Sequence, residues 1–150
     1  YIMTLDEIKK EWTIDCEIDD IELDKASLVV PRLHAKYSDL LSTKTLLLKQ
    51  YTHRYNTLLK DKWMWYRGEL YEERRIKLGF KPDPFDGLKP PLKADMHYWF
   101  NADKDLQEMN AKIEYLKVTV DYLKECLNNV TWRHQTIKNT IEWRKFMAGT

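Results

Sequence analysis

Residues 103–127, DKDLQEMNAKIEYLKVTVDYLKECL, decide the fold class. Leu106, Met109, Ile113, Leu116, Val120, Leu123 and Leu127 recur at alternating steps of three and four. That is the period of a helix laid along another helix, a heptad seam. Each aliphatic buried along it contributes about 1.5–3 kcal/mol, so the seam carries a large share of the stability. One helix cannot cover such a seam alone, so these residues are the expected oligomer interface. Asn101 or Asp103 is placed to cap the helix. Asp103 and Asp105 at its positive end suit the helix dipole better than a metal site. Asn128 and Asn129 are expected to break the pattern, with a last helix from about Thr131 to Phe146.

A second long helical pattern precedes it. From Arg32 to Trp65, the positions Leu33, Tyr37, Leu40, Lys44, Leu47, Tyr51, Arg54, Leu58 and Lys62 step by four and three. A parallel stripe carries Leu41, Leu48, Tyr55 and Leu59. Pro31 lacks an N–H and crowds the preceding turn, which predicts a kink or break. Gly68 is a stop signal, after which ELYEERRIKL resumes a helix to about Leu78. Upstream, Thr4 and Glu7 have capping-box spacing and open a short helix to about Trp12.

The expected fold is all-α: an elongated helical protomer with long coiled-coil-like helices, assembling into a homo-oligomer. Four segments are expected. Residues 1–20 form an acidic N-terminal arm with a short helix, and 21–78 a long basic helical region kinked near Pro31. Residues 79–100 form a Pro/Gly-rich loop, and 101–150 the C-terminal helices. In the loop, Phe80, Phe85 and Leu88 are expected apolar anchors, Asp83 and Asp86 turn formers, and Ala94–Phe100 a turn or two of helix.

Charge is unevenly spread although the net is +1 over 150 residues. Tyr1–Asp24 holds nine acids against Lys9 and Lys10, whereas Lys25–Pro82 holds thirteen Lys and Arg against five acids. A basic middle suits a polyanion, and the acidic arm suits a basic surface on this chain or a neighbour. Within the middle, YTHRYNTLLKDKWMWYRG (Tyr51–Gly68) mixes Arg54, Lys60, Lys62 and Arg67 with Trp63, Trp65 and Tyr66. Cations neutralise phosphates and flat rings stack on unpaired bases, so these seven are the candidate single-stranded nucleic-acid site. Tyr51, Tyr55, Leu58 and Leu59 fall on the apolar stripes and read as core. Trp63, Trp65 and Tyr66 can be core, subunit contact or base platform.

No run of residues is apolar enough to span a membrane. The opening YIMTLDEI lacks the features of a secretory signal, and Met3 reads as the native start. Cys16 and Cys126 lie far apart and read as free thiols of a reducing cytoplasm. No histidine pairing, Gly-rich phosphate loop or nucleophile motif is present, so neither a metal, a cofactor nor catalysis is expected. A coiled-coil structural or assembly protein with no nucleic-acid role is the alternative.

Taken together the chain resembles the UvsY-type recombination mediators of T-even-like phages. The resemblance rests on Leu5-Asp-Glu-Ile8 with Glu11 and Ile18-Asp19, on Leu59-Lys60-x-Lys62-x-x-Trp65-Tyr66-x-Gly68, on Ala102-Asp-Lys-Asp105, and on Arg133, Ile137-Lys138, Ile141 and Arg144-x-Phe146-x-Ala148-Gly149. Lys62 stands where the family has Arg, and Trp65 where it has Tyr. The proline-rich stretch Gly79–Pro91 departs from the family pattern. The resemblance implies that Lys60 and Lys62 contribute to single-stranded DNA binding. It implies a heptameric homo-oligomer in the cytoplasm of the infected host cell. Its implied partners are single-stranded DNA, a phage RecA-like recombinase and a single-strand-binding protein. The implied task is helping recombinase load onto strands already coated by the single-strand-binding protein, with no nucleotide hydrolysis.

Overall fold

A computed structural model describes residues 3–149 of the protein, so Tyr1, Ile2 and the question of what precedes Met3 lie outside the described residues. Every regular element among the described residues is helical: α1 (Leu5–Asp15), α2 (Leu23–Tyr66), α3 (Glu72–Leu78), a 3-10 turn (Lys93–Asp95), α4 (Met96–Ala102) and α5 (Lys104–Met147). The fold is all-α, with two helices of 44 residues each. Two compact units are distinguished, Tyr1–Leu46 with Leu116–Thr150, and Leu47–Tyr115.

In the first unit, the Thr4 hydroxyl caps α1 by accepting the Glu7 N–H at 3.3 Å. The helix runs past Trp12 to Asp15. Ile8 of α1, Leu33 and Tyr37 of α2, and Leu123, Cys126 and Val130 of α5 form the core. Trp12 meets the Tyr37 ring edge-on at 5.1 Å. The Tyr37 hydroxyl donates to Asp15 at 2.8 Å, and the Lys36 ammonium lies 2.6 Å from Asp15 and 2.7 Å from Glu11. Buried Arg133 donates to the Asp15 carbonyl at 2.7 Å, and Arg144 donates to the Asp20 carbonyl. Much of the acidic arm is thus answered by cations of its own unit.

Pro31 lies inside α2, which does not break there. Its neighbours explain the tolerance: Leu33 and Tyr37, two and six residues on, are buried and hold the helix from the side. Proline removes one hydrogen bond, and tertiary burial outweighs that local loss. The expected break at Asn128–Asn129 is also absent, because α5 continues to Met147. Both asparagines face solvent while Cys126, Val130, Arg133 and Ile137 keep the buried stripe going at steps of four, three and four. Asparagine costs only tenths of a kcal/mol, about 0.5, in a helix that is otherwise packed.

The seam needs a larger correction. Leu106, Ile113, Leu116, Val120 and Leu123 are all 6% exposed or less within a single chain, and Met109 and Leu127 are half-buried. In the first unit the partner is internal: α2 supplies Leu33 and Tyr37 against Leu123. A chain with two long helices can answer its own seam, and the five buried seam residues are covered without a second copy.

Candidate nucleic-acid interface

In the second unit, the end of α2 and the two residues after it read KDKWMWYRG (residues 60–68), where side chains close in sequence divide between core and solvent. Trp65 and Tyr66 are 7% exposed and pack with Phe80 and Phe85 in a second core. The Trp65 indole N–H donates to the Lys81 carbonyl at 2.8 Å. The Tyr66 hydroxyl donates to Asp103 at 2.7 Å. This settles the alternatives left open for these two rings: they are core, and their faces are covered by Phe80, Phe85 and Phe100. The proline-rich stretch is an ordered strap held by Phe80 and Phe85, whereas Leu88 is 65% exposed and anchors nothing. Asp83 shapes the strap, accepting the backbone N–H groups of Phe85 at 2.9 Å and Gly87 at 2.6 Å. Those bonds hold its carboxyl below the ordinary value.

Lys62 is buried too, at 3% exposed. Its ammonium sits 3.1 Å from Asp103 and 2.7 Å from Asp105. It also lies over the rings of Phe80, at 4.1 Å, and Trp65, at 4.6 Å. An isolated buried ammonium is costly, and here two carboxylates and two ring faces offset that cost. Asp103 is the hub. It caps α5 by accepting the Leu106 N–H at 3.0 Å while holding Tyr66 and Lys62. Burial alone would raise the Asp103 carboxyl, but the bonds from Tyr66, Leu106 and Lys62 outweigh it and bring it below the usual carboxylate value. Burial and the Asp103 bond push the Tyr66 hydroxyl well up.

The outward residues form a different set. Lys60 is exposed, and Trp63 is 43% exposed with the Arg67 guanidinium 4.5 Å from its ring. Arg67 also meets Glu69 at 3.1 Å. At about 100° per residue, Lys49, His53, Asn56, Lys60, Trp63 and Arg67 share one face of α2, and all six are exposed. The stripe is about 27 Å long at the helical rise of about 1.5 Å per residue. Lys49 was missed by reading the motif as a block; stepping back from Lys60 by seven and eleven finds His53 and Lys49. Arg54 is exposed but lies off this face, over the Tyr51 ring at 5.3 Å. The sequence candidates therefore divide: Lys60, Trp63 and Arg67 face solvent together, Arg54 faces solvent beside them, and Lys62, Trp65 and Tyr66 build the support beneath.

The same arrangement of helices occurs in solved proteins. A family model described as recombination, repair and single-stranded DNA binding protein UvsY matches residues 11–150. Two crystal structures of the bacteriophage T4 recombination mediator protein UvsY, in lattice types II and IV, superpose with a TM-score of 0.79 at 20% identity. They cover 97% of this chain and 98% and 99% of theirs. A third, in lattice type I, gives 0.76 at 19% identity over 94% of this chain and 98% of its own. At that identity the likeness is one of fold. No curated protein sequence matches the chain.

Proposed function

Because the chain belongs to the UvsY family of recombination, repair and single-stranded-DNA-binding proteins, we propose that it is a non-enzymatic recombination mediator whose strand-binding surface is the α2 stripe from Lys49 to Arg67. The carrying observation is that this stripe is exposed, cationic and bears a stacked indole–guanidinium pair. Lysines along it release counterions from the strand backbone, and Trp63 offers a ring for a base. Its task is to help a RecA-like recombinase load onto strands coated by single-strand-binding protein, in the cytoplasm of the infected host. No helix among the described residues is long and apolar enough to cross a membrane.

The protein acts as a homo-oligomer, heptameric as the family resemblance implies. Repeating a weak stripe around an assembly multiplies its affinity without new contacts. The surface that supports self-association is the outer face of α5. There Trp132, Trp143 and Phe146 are 62%, 62% and 73% exposed, and Trp143 stacks on Phe146 at 5.8 Å. Exposed aromatics at that density mark an interaction surface.

The test compares Lys49→Ala/Lys60→Ala/Arg67→Ala with Lys62→Met in titrations of a labelled oligonucleotide at several salt concentrations. Single-strand affinity falls with salt at a log–log slope of about −0.7 per neutralised phosphate, so the triple variant should lose about 2 from the slope. Lys62→Met should keep the wild-type slope and melt at a lower temperature. A triple variant with the wild-type slope would sink the stripe as the strand site.

A further inference from the structure

Beside the stripe, α2 and α3 enclose a groove of about 440 Å³ in the second unit. Its floor is apolar, from the half-buried Leu58 and Leu78. Its walls carry His53, Arg54, Thr57 and Arg74. The one acid lining it, Asp61, is buried and already paired with Arg74 at 3.0 Å. The groove is therefore net cationic, its lining including Arg54, whose guanidinium lies over the neighbouring Tyr51 ring, and Arg74, whose guanidinium is held by Asp61. His53 belongs to both the groove and the stripe, so the two surfaces are continuous on α2.

We propose that this groove is a nucleobase subsite. A base of the strand whose phosphates track the Lys49–Arg67 stripe swings into it, over Leu58 and Leu78, and lies against the Arg54 and Arg74 guanidinium planes. This rests on the strand binding proposed above and names where the bases go. Guanidinium planes stack on bases, and such stacking is tolerant of sequence because every base has a π-face. The volume lies within the roughly 300–1,000 Å³ of small-molecule sites, enough for one base. The groove also selects for single strands: a base in a duplex is stacked and paired, and reaching the groove would require breaking both.

Thr57 is the residue to change. It is exposed on α2, and its hydroxyl bonds only back to the His53 carbonyl at 3.1 Å, so a large side chain there fills the groove without touching a core. The experiment titrates wild type, Thr57→Trp and Arg54→Ala with an oligothymidylate and with an abasic sugar–phosphate oligomer of the same length. Each variant should bind the oligothymidylate roughly 5- to 30-fold more weakly, the range of a guanidinium–ring contact. Thr57→Trp should leave abasic binding and the wild-type salt slope unchanged, whereas Arg54→Ala also removes an exposed cation and should weaken abasic binding as well, though less than oligothymidylate binding. A Thr57→Trp variant that binds the oligothymidylate as wild type does, or that loses abasic binding equally, overturns the subsite alone. Wild type that binds neither strand overturns strand binding itself.

Discussion

Asp103 holds three partners with one carboxylate, and its folded pKa is lowered as a result. A carboxylate whose folded pKa lies below its unfolded value of about 3.9 binds fewer protons folded than unfolded. Its stabilisation is complete above that unfolded value and is lost as pH falls through the folded one. Asp15 behaves alike: burial works against it, but Lys36, Tyr37 and Arg133 bring its carboxyl down. Acid should therefore weaken both units. Asp103→Asn removes the charge facing Lys62 and should lower the melting temperature at neutral pH. It should also flatten the dependence of melting temperature on pH below about 4. Thermal melts from pH 2 to 7 measure this, and an Asp103→Asn curve parallel to wild type would show that Asp103 is not a source of the acid sensitivity. Cys126, by contrast, is a packing thiol. Burial in the first core is the main reason its pKa is pushed up to about 11, which leaves it protonated and unreactive near neutrality.

At the scale of the element, α2 shows how packing overrides local preference. Pro31 sits exposed in its interior, where it lacks a hydrogen-bond donor and packs little. Pro31→Ala should then stabilise the protein by about 1–2 kcal/mol. That is the interior cost of proline less what its rigidity in the unfolded chain returns. A chemical denaturation midpoint that moves down instead would show that proline shapes a contact of its neighbours. The far end of α2 is divided by helical phase. Lys60, Trp63 and Arg67 face out and Lys62, Trp65 and Tyr66 face in, so residues adjacent in sequence serve opposite purposes. That division was beyond the reach of composition, because Lys62 and Lys60 carry the same chemistry. Only the carboxylates of Asp103 and Asp105, some forty residues on, separate them.

For the whole molecule, two apolar surfaces on α5 differ in what covers them within the chain. The inner one is buried within the chain, and Leu123 is fully covered. Leu123→Ala should cost about 2–5 kcal/mol of stability while leaving the native mass unchanged. The outer one carries Trp132, Trp143 and Phe146. Trp132→Asp/Trp143→Asp should keep the helical signal of the folded chain and sediment as a smaller species. Equal masses for this variant and wild type would remove the outer face as the assembly surface.

What the amino-acid order determined by itself is local and periodic. The Thr4 cap, a cap at Asn101 or Asp103, a turn at Asp83 and Asp86, and the existence of both long helices are each written in spacing over a few residues. The all-α class follows from those periods. Which residues of a stripe face the chain's own core, and which face outward, was decided by tertiary structure. A heptad seam states that a partner helix exists and is silent on whether it belongs to the same chain. A lysine beside a tryptophan states that charge and ring are near each other. Whether they meet a phosphate or a buried carboxylate depends on what the rest of the fold brings to them.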